Sequence, residues 1–533
     1  MIPLKVTLRS SLILLIHYSL ANLSFQSNYI KIYFWQGASF VLRFLSMFIV
    51  TPYLTKEPSI YGIFAVCMSV TIFLNYADLG FLRAGQKYAA ECFARDERTE
   101  EMKYIGFGTF ILLIFTLLCT IVFFYFGFNP SALIKGLDTS EKVSTASGLL
   151  LVLAAFTPVT VLQRMVSMIF DIRLDSYINQ RISLMGSVVT IGSVFYFFGG
   201  GNYRIVPYFF FSQSINFLFI IISFWLAKRK YNYDIKQLFR FVRFDPVIYK
   251  KANSLAYSGL YVMIVWIIFY ELDQLAIGKF LGVDKVAVYA IAFAFSSFFR
   301  TIYAILFSPF VVRANHFVGN GDDDGLKRFS LQLFSVSAPI VVLPTAAFAI
   351  VARPFIMSWV GPNYNDSVDL ARLFSLIFSL SFISYSASNI LIAKTRIKEM
   401  YVIATIQPVI YWVGIWLTYS YWGLMSFGGF KLLATIVAQA YYLYVIIKIF
   451  NLSFKELVQR ILYPIILPLL FLVLTLLFAV GYLPVEKSKL NLFIVLITTG
   501  ISILMSFIVQ YLISSDIRFI AKSLIKSILP KRE

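Results

Sequence analysis

The sequence has little of what holds soluble proteins and metal sites together. Its 533 residues contain 3 cysteines (Cys67, Cys92, Cys119) and 2 histidines (His17, His316). That is too few for a disulfide scaffold and a poor donor set for a protein-built metal centre. Charge is scarce too, 14% of residues against about 25% in a soluble globular chain. Acid is scarcest: 26 Asp and Glu stand against 46 Lys and Arg, a net charge of +20. No GxxxxGK[ST] phosphate loop occurs, so ATP hydrolysis by this chain is not expected. What fills the sequence is apolar: 59% hydrophobic residues, 55 of them Phe, with a mean hydropathy of +0.80. These proportions describe an all-α polytopic membrane protein.

A spanning helix needs roughly 20 mostly apolar residues. That criterion predicts 14 spans, at about 33–54, 61–80, 104–128, 145–163, 182–199, 205–227, 255–277, 287–311, 331–352, 370–393, 401–424, 427–450, 462–482 and 490–513. Lys and Arg alternate between the connections. With the N-terminus inside, the inner segments carry 33 and the outer loops 9, and Arg43, Arg300, Arg372 and Lys431 lie within spans. The bias places both termini in the cytoplasm. The positive charge then marks topology and contact with anionic membrane lipids, not nucleic acid.

The connections exclude a soluble catalytic domain. No outer loop exceeds about 17 residues, and the longest inner one, 228–254, is a basic connector between two six-span lobes, 33–227 and 255–450. Two additional spans occupy 451–513. The segment 1–32 reads as an N-terminal interfacial helix, with an over-long start or a fifteenth span as alternatives; its apolar run of about 13 residues is short for a span. In the tail 514–533, Arg518, Lys522 and Lys526 oppose Ile517, Ile520, Leu524 and Ile528, the pattern of a basic amphipathic helix on the inner leaflet.

Two stretches about 228 residues apart are alike, each a span end, a short polar turn and a Tyr opening the next span: Leu54 to Phe64 with Tyr61, and Leu281 to Ile291 with Tyr289. An even number of spans separates them, as in parallel repeats. Tyr61-Gly62 with Asp78-Leu79-Gly80 and Gln86-Lys87-Tyr88-Ala89-Ala90-Glu91 then resembles the second-span signature of bacterial polysaccharide flippases of the Wzx type. These belong to the multidrug/oligosaccharidyl-lipid/polysaccharide exporter superfamily. Asp273, Gly278, Gly282 and Tyr289 are similar to the pattern after that family's seventh span. Gly423-Leu424, Gly428-Gly429 and Ala434-Thr435 are similar to its eleventh-to-twelfth turn. The resemblance implies two six-helix lobes around a central cavity. It also implies transfer of an undecaprenyl-diphosphate-linked oligosaccharide (an O-antigen, capsule or exopolysaccharide repeat unit) to the outer leaflet by alternating access. Glycan polymerase and chain-length proteins would be its partners, as in lipopolysaccharide biosynthesis.

Ionisable groups inside the membrane cost at least ~2.5–3.5 kcal/mol each on insertion scales, so they usually face a cavity or a partner. Arg43 and Arg300 lie centrally in the first and eighth spans. Either they form structural ion pairs or they bind substrate phosphate, for which an Arg fork is suited. Arg43 has no acid at i±3 or i±4. Glu271 and Asp273, near the outer end of the seventh span, are expected to pair between the lobes with Arg43 or Arg300, to bind a coupling proton or cation, or to sit in water. Asp78 is expected to cap or pair with Arg83 or Lys87 and gate the inner mouth, and Arg372 and Lys431 to snorkel. Asp322-Asp323-Asp324 looks like a transferase metal motif but lacks a nucleotide fold around it. No cofactor is expected; a proton or sodium gradient would drive transport. A cation-coupled multidrug exporter of the same superfamily is the alternative. A membrane glycan polymerase is less favoured, because it needs a large outer loop.

Overall fold

The computed structural model describes residues 31–514 and 517–518, apart from 33, 76, 308 and 460–462. The expected interfacial segment up to residue 30, and Lys522 and Lys526 of the basic tail, lie outside the described residues. Among the described residues every regular element is helical and no strand occurs. The physical reason is general: with no water at mid-membrane, each backbone N–H and C=O must be satisfied within its own segment.

In chain order the main helices are α1 Phe34–Leu54, α2 Pro58–Val70, α3 Phe81–Ala94, α4 Arg98–Phe128, α5 Ser140–Phe156, α6 Val159–Ile172, α7 Ser176–Phe198 and α8 Ile205–Tyr231. There follow α9 Pro246–Tyr270, α10 Asp273–Phe280, α11 Val283–Phe307, α12 Pro309–Gly319, α13 Asp323–Trp359, α14 Ser367–Ser379, α15 Ser381–Ala393, α16 Ile397–Trp422, α17 Leu424–Phe450, α18 Tyr463–Val480 and α19 Lys489–Ile513. All 14 expected spans land on a helix or a broken helix. Among the described residues eleven helices are long and apolar enough to cross a membrane, α14 and α15 together counting as one. The pair α5–α6, bent by 41°, makes a twelfth. The second expected span is α2, interrupted at Thr71, and the seventh is α9 continued by α10 after a break at Glu271 and Leu272. The molecule is an all-α polytopic membrane protein.

Two compact units divide the chain. Unit 1 comprises the described residues of Met1–Leu54, Val70–Leu133 and Leu137–Met263; unit 2 comprises those of Thr55–Ser69, Ile134–Gly136 and Ile264–Glu533. Most of α2 thus belongs to unit 2, although it precedes nearly all of unit 1 in sequence. Its seat there is a close backbone approach: a Cβ on Gly62 would collide with the Val283 carbonyl, so only glycine fits. Ser59 Oγ donates to Asp284 at 2.5 Å, and Tyr364 Oη donates to the Thr55 carbonyl at 3.2 Å. The two repeated stretches therefore touch each other inside unit 2.

In unit 1, α4 packs against α3, α5 and α6 and against the short helix Ile235–Arg240 of the connector. Phe81, Phe107, Met165, Ile169 and Ala252 fill the interior. Gly80, at φ +81°, turns the chain into α3, and a Cβ there would sit 2.8 Å from the Ala256 carbonyl. Both the turn and the close approach require glycine, which gives Asp78-Leu79-Gly80 a structural reason. In unit 2, the 37 residues of α13 extend about 55 Å at the usual rise. That exceeds the ~30 Å hydrocarbon layer, so α13 extends beyond it. Helices α14, α15, α18 and α19 pack against α13.

Candidate functional site

The break after α9 builds the site in unit 2. Breaking an apolar span frees backbone groups and lets acidic side chains be held at helix ends inside the bundle. Glu271 lies in the break, and Asp273 opens α10, where a negative charge suits the helix N-terminus. The Asp273 carboxylate is almost completely buried and pairs with the equally buried Lys431 ammonium of α17. Tyr289 Oη of α11 donates to it as well, and Tyr411 Oη of α16 donates at 2.7 Å. Lys431 Nζ in turn lies over the rings of Tyr411 and Phe269, at 4.8 and 5.5 Å. Four helices thus converge on one neutral pair whose carboxylate accepts three hydrogen bonds. Each buried charge costs several kcal/mol to desolvate, which such pairing offsets.

The second pair, formed by Glu271 in the same break, is more open. Arg300 Nη1 on α11 comes within 3.4 Å of Glu271 Oε1, with side chains 21% and 15% exposed. Yet Nη1, itself buried, makes no hydrogen bond. Trp266, Tyr270 and Phe293 surround the guanidinium at 5.6, 5.4 and 5.8 Å. These aromatic faces stabilise the cation without using its N–H donors. The guanidinium therefore keeps capacity for an anionic oxygen.

Unit 1 has a charged cluster of a different kind, on loops that the Lys/Arg count assigns to the cytoplasm. Arg173, just after α6, makes two bonds to the Glu101 carboxylate of α4, at 2.8 and 2.9 Å. It also donates to the Ile169 carbonyl and packs on Phe93, Tyr231 and Tyr233. Tyr233 Oη donates to Glu101 at 3.1 Å, and burial followed by that carboxylate pushes the phenol above its usual range. Lys230 Nζ and Tyr231 Oη both reach Asp175 Oδ2 at 2.6 Å. Arg98 donates to the Tyr231 carbonyl. A cleft of about 310 Å³ lies among these groups. Glu101 and Asp175 are paired with cations, and the bonds tie three separate segments together.

The predicted site residues fall unevenly on this geometry. Arg43 is exposed on α1 and makes no ion pair with a described residue. Glu271 pairs with Arg300, one of its two expected partners, whereas Asp273 pairs with Lys431, which was not expected; both pairs lie inside unit 2 and neither involves Arg43. The physical reason is the broken helix, which holds both acids against α11 and α17. Asp78 pairs with neither Arg83 nor Lys87. The turn at Gly80 buries Asp78, whereas Arg83 and Lys87 are exposed on α3; Lys87 lies over Tyr88, and the nearby charge is Arg164 of α6. Lys431, expected to snorkel, is buried and paired, whereas Arg372 is exposed and pairs with Asp369 at 3.0 Å. The signal for Lys431 was the one noticed at Arg43: a cation in an apolar run with no charge at i±3 or i±4. Asp322 caps α13 through the Gly325 N–H, and Asp323 pairs with Lys394, which accounts for two of the three consecutive aspartates.

No protein-family model matches the sequence. A stretch of 145 residues, 26% of this chain, is 23% identical to the uncharacterized membrane protein EpsK of Bacillus subtilis (strain 168) and spans 29% of that relative's length. The structure resembles the lipid II flippase MurJ in an inward closed conformation, with a TM-score of 0.63 and 13% identity over 88% of this chain and 98% of that one. It also resembles an inward-facing multidrug resistance MATE family transporter of the MOP superfamily, with a TM-score of 0.57 and 14% identity over 77% of this chain and 96% of that one. The chain has the fold these two proteins share, which is the fold implied by its motifs.

Proposed function

We propose that the protein is a flippase that carries an undecaprenyl-diphosphate-linked oligosaccharide across the bacterial cytoplasmic membrane, both termini facing the cytoplasm. The observation that carries this reading is the Arg300–Glu271 pair: a cation inside an apolar helical unit, ringed by aromatic residues, with one buried guanidinium nitrogen still without a hydrogen bond. A phosphate oxygen supplies the missing acceptor, and Arg binds phosphate with a directional fork. The likeness in fold to a lipid II flippase supports the same substrate class. Arg43, exposed on α1 among apolar neighbours, is the matching anchor in unit 1. The Asp273–Lys431 pair is the element that responds to a proton or sodium gradient, since its neutrality depends on both partners keeping their charge.

The likeness to a MATE family transporter keeps a second reading, cation-coupled export of drugs. The two separate in one assay on the purified chain in liposomes containing anionic lipid. Transbilayer movement of a fluorescent polyprenyl-diphosphate oligosaccharide is followed beside efflux of a lipophilic cationic dye. Movement of the lipid with no dye efflux is expected. Dye efflux without lipid movement would replace the flippase reading with the exporter.

A further inference from the structure

Beyond phosphate recognition, the surroundings of Arg300 contain a pair of neighbouring aromatic rings. Trp266 and Tyr270, one turn apart on α9, have ring centroids 4.2 Å apart at an interplanar angle of 37°. Trp266 keeps 39% of its surface exposed. It lies about half-way along the seventh expected span, away from the interfacial belt where tryptophan usually gathers. The face it shares is not a lipid face. Arg300 lies 5.6 Å from its ring, and Glu271 is paired to the same Arg300. A charged pair is too costly to present to hydrocarbon. An exposed indole beside such a pair looks onto water or onto substrate.

We propose that Trp266, backed by Tyr270, is a stacking platform for the first hexopyranose ring of the substrate, the one joined to the diphosphate. The argument rests on the reading of Arg300 as the phosphate anchor. A pyranose presents an apolar face of C–H groups that packs on an aromatic ring, and its rim of hydroxyls needs acceptors. Glu271 is such an acceptor, held next to the platform by the same guanidinium that takes the phosphate. Apolar face, hydroxyl and anion are then met by three adjacent groups, in the order in which a sugar diphosphate presents them. The platform selects for a glycosylated lipid over the bare polyprenyl diphosphate left after the sugar has been removed. Empty carrier would then compete poorly with loaded carrier.

The test is equilibrium binding to the full chain in detergent, with two probes: a short-chain polyprenyl diphosphate and the same molecule bearing one hexose. The wild type is expected to bind the hexose-bearing probe about tenfold more tightly, the scale of one good aromatic contact. Trp266→Leu should erase that preference, and Trp266→Phe, which keeps a smaller ring and is the gentler change, should reduce it. Equal binding of both probes by the wild type would overturn the platform while leaving the phosphate reading in place. So would a preference undiminished in Trp266→Phe. Unchanged binding of the bare diphosphate by Arg300→Ala would instead overturn the phosphate reading on which the platform rests.

Discussion

The charged cluster of unit 1 and that of unit 2 contain the same chemistry, acids, cations and tyrosines, but serve different ends. In unit 1, Arg173 spends its donors on Glu101 and a backbone carbonyl, and Asp175 is bonded by Lys230 and Tyr231. These groups sit at helix ends and join loops. In unit 2 the pairs sit inside spans. One of them, Asp273–Lys431, is closed by two tyrosines; the other, Arg300–Glu271, has a nitrogen to spare. Counting salt bridges would rank the clusters equally. What sets the Arg300–Glu271 pair apart is a buried charged nitrogen with no hydrogen bond at all.

The largest expected effect comes from breaking the closed pair. Asp273→Ala leaves the Lys431 charge buried without its partner, at a cost of about 3–5 kcal/mol. The outcome is loss of monodisperse protein in detergent, and pairing Asp273→Leu with Lys431→Met should recover much of the yield. A well-folded Asp273→Ala protein would show that water reaches Lys431.

In unit 1, Glu101→Ala should destabilise by a similar mechanism, somewhat less because the cleft beside Arg173 admits water. The informative variant is double. Glu101→Leu with Arg173→Met removes both charges and is expected to return thermal stability to within about 1–2 kcal/mol of the wild type. Its transport should be retained; a folded double variant without transport would give the unit 1 cluster a functional part.

The smallest effect lies outside both clusters. Lys487, between α18 and α19, has its pKa lowered, first by desolvation and then by Lys56. For a base, a folded-state pKa below the unfolded one means that the unfolded chain holds more protons in the window between them. Stability therefore rises with pH through that window, and below it the charged lysine disfavours the fold. Lys487→Met should raise the melting temperature slightly at neutral pH and flatten its rise on the alkaline side. A lower melting temperature would mean that the ammonium contributes a favourable bond.

Most of the fold was legible because helix-forming apolar runs in a membrane have few alternatives. The 14 runs appear as helices, and the motif glycines Gly62 and Gly80 have backbone reasons for being there. The site was half legible. Arg300 and the two acids stood out as charges in apolar runs, and Arg300 was among the partners expected for them; the Asp273–Lys431 pair depends on the break between α9 and α10, which no local pattern announced. Lys431 was read as an end-of-span cation because span boundaries are uncertain by a few residues. Arg173 and Glu101 were hidden among the ordinary charges of loops, where burial cannot be read from composition.

On the proposed function Arg300 binds substrate, whereas Arg173 holds structure. One transport assay in liposomes decides it, with the rate of transbilayer movement of a polyprenyl-diphosphate oligosaccharide measured beside the melting temperature. Arg300→Ala is predicted to remain folded but to melt below the wild type, since the pair is only partly exposed and Glu271 loses its partner. It should also lose at least about tenfold in rate, with Arg300→Lys in between. The Glu101→Leu, Arg173→Met variant should move lipid at close to the wild-type rate. A stable Arg300→Ala protein that flips lipid at the wild-type rate would contradict the claim.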